Sequence, residues 1–171
     1  GGVILDLGTY CVSLLRLVTG VRPLSVTAQL DRAENGVDRG VVATLAYRDG
    51  VAATVNCSFT AAYHRSALVQ GASGSLVTSF RNNYAPGVQA DPIRLWRGGS
   101  MDVAVEELHS PGANGFRAEA ESFADAVQGL GGWTGASSAF SIDVAMTLEA
   151  IRESGPAGTV VELPADESGC G

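Results

Sequence analysis

The chain contains 171 residues, 46% of them hydrophobic, which provides enough apolar surface for a domain with a substantial core and excludes a disordered or fibrous chain. Its formal net charge of -7 argues against nucleic acid as a partner, because a phosphate backbone attracts a basic protein surface. No apolar run is long enough to cross a bilayer and no signal peptide is visible, so we expect no membrane partner and a cytoplasmic location.

The cysteines are consistent with that location. Cys11, Cys57 and Cys170 are an odd number and lack the close spacing of metal ligands. They therefore suit a reducing compartment and predict neither a disulfide framework nor a zinc site. We expect no metal in this chain.

The first predicted element is a helix that follows a glycine pair, Gly1-Gly2, and a short apolar run. Its apolar residues recur every three or four positions, as on one buried helical face: Leu7, Tyr10, Cys11, Leu14 and Val18. Gly20 occupies a position where a helix typically ends, and Pro23 follows it. Asp6 precedes the pattern and is predicted to cap the helix, since its carboxylate can accept hydrogen bonds from amides of the first turn.

Asp6 and Tyr10 form the first candidate site. They are four residues apart, which places them on the same face of a helix. A carboxylate and a phenol beside a glycine-lined entry can exchange protons with a substrate. The simpler interpretation is structural, with Asp6 as a cap and Tyr10 as a half-buried core residue. Spacing alone leaves both interpretations open.

Strands are predicted through the middle of the chain, because apolar and polar residues alternate there and turn residues separate the runs. The first three strands are predicted at 24–31, 41–47 and 51–59. Four more are predicted at 66–70, 75–80, 93–97 and 103–108, with a surface loop at 81–92. In the third strand the predicted buried face is Val51, Ala53, Val55, Cys57 and Phe59.

Two amphipathic helices are predicted near the end of the chain. The first follows Asn114 as its cap and has an apolar stripe of Phe116, Ala120, Phe123, Val127 and Leu130. The second follows Ser137 or Ser138, ends at Gly155-Pro156 and has a stripe of Val144, Leu148 and Ile151. A short strand at 159–163 and a polar tail at 164–171 complete the chain.

This order of elements predicts an α+β fold, in which helices cover one face of a predominantly antiparallel, open-faced sheet. No repeat or linker is visible, so residues 1–171 are predicted to form a single domain. The uncovered face of the third strand is small and neutral, with Ala52, Thr54, Asn56, Ser58 and Thr60. Such a wide, weakly polar face is unusual for a monomer, so we expect a homodimer or homotetramer that pairs through the open sheet face.

The segment Gly1-Gly2-Val3-Ile4-Leu5-Asp6-Leu7-Gly8-Thr9-Tyr10 resembles the opening of the C-terminal domain of the glucose-fructose oxidoreductase / inositol dehydrogenase / MocA (Gfo/Idh/MocA) family. In that family a glycine run and three further residues precede Asp-x-Gly-x-(His or Tyr). The tyrosine version resembles the branch that contains glucose-fructose oxidoreductase, xylose dehydrogenase and dihydrodiol dehydrogenase. The segments 71–76 and 114–123 are also similar to family patterns.

The resemblance implies an oxidoreductase that transfers hydride between NAD or NADP and a small substrate, either a sugar, a polyol or a related alcohol. It implies that Tyr10 gives or takes the proton of the substrate hydroxyl and that Asp6 orients the substrate or the tyrosine. Ser13 stands where the family often has Asp or Asn, which makes it a candidate substrate contact. Phe116 matches a family position that borders the nicotinamide.

The resemblance also implies that the chain is a C-terminal fragment. The chain has no lysine and no G-x-G-x-x-G motif. In the family, a lysine of the site and the dinucleotide-binding fingerprint come from an N-terminal Rossmann domain. We therefore expect that domain to lie outside this chain and to bind most of the cofactor, and we expect the fragment alone to be inactive.

Two alternatives remain open: a non-catalytic oligomerisation or interaction module on the same scaffold, and a different dehydrogenase fold with a similar sheet domain. Other polar and aromatic residues have simple structural interpretations as loop, surface or core residues: His64, His109, Trp96, Trp133, Arg65 and Arg117. Nothing orients either histidine toward a serine, so no Ser-His-Asp triad is predicted.

Overall fold

The computed structural model describes residues 1–81, 83–100 and 102–164. These residues form helices and two antiparallel sheets, which confirms the predicted α+β class. The chain divides into two compact units, one formed by Gly1–Ala61 with Ala136–Gly171 and the other by Ala62–Gly135. The organisation of residues 1–171 as a single domain stays a prediction.

The elements follow one another in nearly the predicted order. In chain order they are a π-helical turn (Ile4–Gly8), α1 (Thr9–Thr19), β1 (Ser25–Arg32), β2 (Asp38–Ala46), a 3₁₀ turn (Arg48–Gly50), β3 (Ala52–Ser58), β4 (Ala67–Gly71), β5 (Gly74–Thr78), β6 (Ile93–Arg97), β7 (Val105–Leu108), α2 (Gly115–Gln128), α3 (Ser138–Ser154) and β8 (Val161–Glu162).

The first unit packs α1 and α3 against a sheet with the strand order β3-β2-β1-β8. Alternate strand residues are buried and form one hydrophobic cluster with the helices: Val26, Ala28, Val41, Ala43, Leu45, Val55 and Cys57. Val12 of α1 and Leu148 and Ile151 of α3 complete this cluster. The period-two alternation in the sequence therefore predicts the core face of the sheet correctly.

The pattern fails at the ends of the third strand. Val51 and Phe59, predicted on its buried face, lie just outside β3 and are about half exposed. Val51 follows the 3₁₀ turn Arg48–Gly50, and Phe59 follows the last residue of the strand. These two predictions are wrong because an alternating pattern continues past the point where the chain leaves the sheet.

The second unit contains a sheet with the order β4-β5-β6-β7, in which all neighbours are antiparallel. All four strands lie within two residues of their predicted positions. Gly74 opens β5 at a φ of 151°, and a Cβ there would lie 2.1 Å from the carbonyl oxygen of Trp96. The sequence predicts one open sheet, whereas the structure has two, because alternation does not reveal which strands share hydrogen bonds.

The two later helices begin at their predicted caps. The Asn114 side chain accepts a hydrogen bond from the Arg117 amide at 3.2 Å, and the Ser137 hydroxyl accepts one from the Phe140 amide at 3.1 Å. α3 ends at Ser154, as predicted. The last predicted strand is shortened to β8, and most of the predicted polar tail, including Cys170, lies outside the described residues.

The apolar stripe of α2 is not buried. Phe116 is 55% exposed, and the other large residues of the stripe are more exposed still: Phe123, Val127 and Leu130. The prediction that helices bury their apolar faces on a sheet is therefore wrong for α2 in this chain. None of the described helices is both long enough and apolar enough to cross a bilayer.

Candidate active site

Asp6 and Tyr10 lie on one continuous helical segment that runs from Val3 to Thr19. Its first part, Ile4–Gly8, is wound as a π-helix, and α1 follows without a break. A π-turn closes i→i+5 hydrogen bonds, so residues four apart are not stacked as they are in an ideal α-helix. Such single turns occur frequently at functional sites. Asp6 thus lies on the irregular turn, and Tyr10 is the second residue after its end.

Tyr10 is not a core residue, because it is 49% exposed. Within the described residues, neither the Tyr10 phenol nor the exposed Asp6 carboxylate is hydrogen-bonded to another group, so both are accessible to a ligand. The buried face of α1 is centred on Val12, and Val18 is also exposed. The predicted stripe is therefore wrong at Tyr10 and Val18. The helix is apolar on several sides, and periodicity alone does not select the side that packs.

The carboxylate that caps this helix comes from Asp38 of β2, not from Asp6. The Ile4 amide donates a hydrogen bond to Asp38 Oδ2 at 2.8 Å. Asp6 is itself helical, and its amide donates to the Gly2 carbonyl at 3.1 Å. A Cβ at Gly2 would lie 2.1 Å from Asp38 Oδ1, so the glycine allows the carboxylate to approach the helix end. The predicted capping role of Asp6 is therefore wrong.

Replacing Asp38 with alanine is expected to lower the free energy of unfolding by about 0.5–2 kcal/mol, the usual effect of removing a helix N-cap acceptor. Asp38→Asn retains an oxygen acceptor and is expected to stay within a few tenths of a kcal/mol of the parent chain. Urea denaturation of both variants measures the difference. An unchanged stability of Asp38→Ala would contradict the capping role.

The C-terminal end of α1 is held by a carboxylate on α3. Asp143 is only 5% exposed. Its Oδ2 accepts a hydrogen bond from Arg16 Nε at 2.8 Å, and its Oδ1 accepts one from Arg22 Nη1 at 3.0 Å. Arg22 also donates to the Pro164 carbonyl. The helix that presents Tyr10 is thus fixed at one end by Asp38 and at the other by this three-residue ion cluster.

The sequence analysis gives no sign of this ion cluster. Asp143 lies more than 120 residues from both arginines in the chain, and no local motif links it to them. The only available signal is an aspartate on the apolar side of a predicted helix, one residue before Val144. A buried carboxylate is normally paired, so that position indicates a distant partner without identifying it.

The other two candidate site residues, Ser13 and Phe116, lie on different helices. Ser13 is half-buried on α1, three residues after Tyr10, and therefore shares a helix face with it. Phe116 is half-exposed on the first turn of α2, which belongs to the second unit. Contact of Ser13 with substrate and of Phe116 with nicotinamide both stay predictions.

The remaining polar candidates have local neighbours that agree with their structural interpretations. These are His109 with Glu107 (3.7 Å), Arg117 with Glu121 (2.7 Å) and Arg65 with the Phe80 ring (5.7 Å to its centre). His64 Nε2 lies 3.0 Å from the Ser66 hydroxyl, so the expectation that neither histidine is oriented toward a serine is wrong at His64. Within the described residues no carboxylate pairs with His64 to complete a triad. Trp96 is partly buried in β6, and Trp133 is half-exposed.

The described residues offer no evident site for a metal or for the phosphates of a dinucleotide. Across 1–81, 83–100 and 102–164, no three His, Cys, Asp or Glu side chains are grouped to hold a metal ion. A pyrophosphate binds best at a helix N-terminus lined by glycine. At the helix beside Gly2, that position is already filled by the Asp38 carboxylate. This helix end therefore does not fit NAD or NADP phosphates.

Comparison with known proteins relates this helix and sheet to a family. Residues 1–77 match the family described as the GFO/IDH/MocA C-terminal domain. D-xylose 1-dehydrogenase (NADP(+)) 2 of Haloferax volcanii is 31% identical over 163 residues, which cover 95% of this chain and 48% of that protein. Over its first 77 residues the chain is therefore similar to the C-terminal domain of the Gfo/Idh/MocA family. It spans about half the length of this relative.

Further similarities agree with this likeness to the Gfo/Idh/MocA family. Trans-1,2-dihydrobenzene-1,2-diol dehydrogenase of Macaca fuscata fuscata is 39% identical over 75 residues, 43% of this chain and 22% of that protein. A mutant 3-ketoreductase from Actinomadura kijaniata, crystallised with TDP-benzene and NADP, has a TM-score of 0.77 at 26% identity, covering 91% of this chain and 48% of its own. Aldose-aldose oxidoreductase from Caulobacter crescentus, complexed with glycerol, shares the fold with a TM-score of 0.76 at 20% identity, over 95% of this chain and 48% of its own.

Proposed function

We propose that the intact protein is an NAD(P)-dependent oxidoreductase that acts on a sugar, polyol or related alcohol, and that this chain supplies part of its substrate site. The observation that carries the proposal is Tyr10, a half-exposed phenol on a helix fixed at its N-terminal end by Asp38. The relatives support the class, since they include a D-xylose 1-dehydrogenase that is named for NADP(+) and a dihydrodiol dehydrogenase.

Tyr10 acts as the proton-transfer group. When an alcohol is oxidised, its phenolic oxygen accepts the proton of the substrate hydroxyl, and in the reverse direction it returns that proton. An ordinary phenol has a pKa of about 10, so this exchange near neutral pH requires a nearby cation. The chain contains no lysine, and we assign the cation to a part of the protein outside this chain.

Asp6 and Ser13 orient the substrate around that phenol. Asp6 lies about one helical turn before Tyr10 and presents an exposed acceptor for a substrate hydroxyl. Ser13 offers a hydroxyl on the same helix face one turn later. An array of an acceptor, a phenol and a hydroxyl suits a substrate with several hydroxyl groups.

The nicotinamide supplies the hydride acceptor or donor for this reaction. The Asp38 carboxylate occupies the helix N-terminus that phosphates would require, so we assign phosphate binding to residues outside this chain. Phe116 is the one contact that we assign to the nicotinamide from this chain, because its ring is accessible on the first turn of α2.

The activity is tested by incubating the intact protein with a panel of aldoses, polyols and vicinal diols and either NAD or NADP. Reduction of either cofactor with at least one member of the panel supports the proposal. Absence of turnover with all of them, by a folded protein that binds the cofactor, would contradict it.

The 171-residue chain alone is expected to bind neither NAD nor NADP at micromolar concentration, because it lacks a phosphate-cradling glycine loop. Isothermal titration calorimetry with both dinucleotides measures this, and the intact protein serves as the positive control. Micromolar binding by the chain alone would contradict the assignment of the phosphate site to another part of the protein.

A second function, assembly, is supported by the open face of the first sheet. Val42 on the face opposite the helices is 52% exposed. Its exposed neighbours on β2 and β3 are small or neutral: Thr44, Ala46, Ala52, Thr54 and Asn56. We propose that this face pairs with a second copy of the chain in a homodimer or homotetramer. This role does not require Tyr10 and therefore also fits a non-catalytic module.

Light scattering of the 171-residue chain is expected to give at least twice the monomer mass. Val42→Arg places a charge in the middle of the proposed interface and is expected to give the monomer. Gln70→Arg adds the same charge at an exposed position of β4 and is expected to leave the assembly intact. A monomeric mass for the folded parent chain would contradict pairing through this face alone.

A further inference from the structure

Two cysteines that are 46 residues apart in the sequence meet in the first unit. Cys11 Sγ on α1 lies 3.5 Å from Cys57 Sγ on β3, and both are free thiols. Cys57 is buried, whereas Cys11 is partly exposed. The odd cysteine count and the sequence spacing gave no sign of this pair, because the contact depends on how α1 packs on the sheet.

The two sulfur atoms are close enough that a modest movement would bring them to disulfide distance. A disulfide has an S–S distance of about 2.05 Å, so the sulfurs must approach each other by about 1.5 Å from their present separation. Cys11 and Cys57 are packed in the same hydrophobic cluster as Val12 and Val55, so the fold already holds the two side chains together. Rotation of the two side chains, with or without a shift of α1, would have to close the remaining distance.

The two thiols are chemically unequal. A hydrogen bond from Cys57 lowers the pKa of Cys11, and burial opposes this effect only in part. The same contact, together with burial, raises the pKa of Cys57. Since the thiolate is the reactive form of cysteine, the more accessible Cys11 is the sulfur that reacts first with an oxidant, and Cys57 remains a protonated neighbour.

We propose that Cys11 and Cys57 form a reversible redox pair, which a peroxide converts into a disulfide between α1 and β3. The Cys11 thiolate attacks one oxygen of hydrogen peroxide, the O–O bond breaks, and a sulfenic acid and hydroxide form. The Cys57 sulfur then attacks the Cys11 sulfur, the S–O bond breaks, and the hydroxyl leaves as water with the Cys57 proton. Together the two thiols lose two electrons to peroxide, which becomes two molecules of water once the hydroxide is protonated. A dithiol reductant reverses the reaction by thiol–disulfide exchange.

The disulfide would change the behaviour of the helix that presents Tyr10. Cys11 follows Tyr10 directly, so the bond would attach that part of α1 covalently to β3. The closed loop spans the 46-residue separation, and such a cross-link is expected to raise the melting temperature by restricting the unfolded chain. The inference stands on the geometry of the two sulfurs and does not require the proposed activity.

Peptide mapping after mild oxidation tests the redox pair. The chain is treated with a small excess of hydrogen peroxide, free thiols are alkylated, and the protein is digested with trypsin without reduction. Cleavage after arginine places Cys11 in peptide 1–16, Cys57 in 49–65 and Cys170 in 153–171. We expect peptide 1–16 linked to 49–65, alkylated Cys170, a raised melting temperature, and reversal of both changes by dithiothreitol.

Two variants make the outcome decisive. Cys170→Ser retains both sulfurs of the pair and is expected to give the same cross-link in the same yield. Cys57→Ser removes the second sulfur, so Cys11 is expected to proceed to the sulfinic acid with no linked peptide. A cross-link that involves Cys170 in the parent chain would overturn the inference. Sulfinic acid at Cys11 without linkage to 49–65, or thiols that survive peroxide unchanged, would also overturn it.

Discussion

Replacing Tyr10 with phenylalanine in the intact protein is expected to lower kcat for the proposed oxidoreductase reaction by about two to four orders of magnitude, the usual contribution of a positioned acid or base. The substitution removes only the phenolic oxygen. Tyr10 is 49% exposed, and within the described part of the chain its oxygen has no hydrogen-bond partner to lose. Stability is therefore expected to change by less than about 0.5 kcal/mol, the typical range for a surface position.

Tyr63→Phe is the matched control for this prediction. Tyr63 is even more exposed than Tyr10 and lies in the second unit, so removing its oxygen is expected to affect neither kcat nor stability. Steady-state assays give kcat and KM, and urea denaturation gives the free energy of unfolding. A kcat of Tyr10→Phe within a few-fold of the parent enzyme would remove Tyr10 from the mechanism. Loss of activity together with a large loss of stability would point to a structural role.

The sequence predicts those parts of the fold that depend on local patterns. Burial of Val26 and Ala28 against exposure of Gln29 follows from period-two alternation, because a strand presents successive side chains to opposite faces. The caps Asn114 and Ser137 are equally local, since the acceptor and the donor are three residues apart. Local sequence patterns do not determine whether the strands form one sheet or two. They also do not determine which side of an apolar helix such as α1 is buried.

The candidate site divides in the same way. Asp6 and Tyr10 are visible in the sequence because the motif that contains them is continuous. The contacts that position these two residues are not visible in the sequence, because the Asp38 carboxylate that binds the Ile4 amide is 34 residues away in the chain. The sequence pattern predicts Asp6 as the cap because it is the carboxylate nearest in the chain. Tertiary packing instead brings Asp38 to the helix end, and the close approach of its carboxylate explains the glycine at position 2.

The most strongly destabilising substitution is expected at Asp143 of α3, whose carboxylate lies at the C-terminal end of the helix that carries Tyr10. Asp143 is buried, and the side chains of Arg16 and Arg22 are only 18% and 8% exposed. Together the two guanidinium groups occupy both carboxylate oxygens. The intact cluster contributes little net stability, because desolvation of its three charges offsets their attraction. Removal of the carboxylate has a different consequence, since it leaves two cations poorly solvated at the end of α1.

Asp143→Ala is therefore expected to lower the free energy of unfolding by about 3–5 kcal/mol, which is a large part of the about 5–15 kcal/mol typical of a domain. Glu149→Ala, also on α3, is the control. This substitution breaks the surface ion pair between Glu149 and Arg152, whose two side chains are both more than half exposed. Exposed ion pairs contribute about 0–1 kcal/mol to stability. Urea denaturation at low and high salt separates the two cases, because salt screens the surface pair and leaves the buried cluster largely unaffected. Equal losses for the two variants would show that Arg16 and Arg22 reach water once Asp143 is gone, and that the cluster does not fix the helix that carries Tyr10.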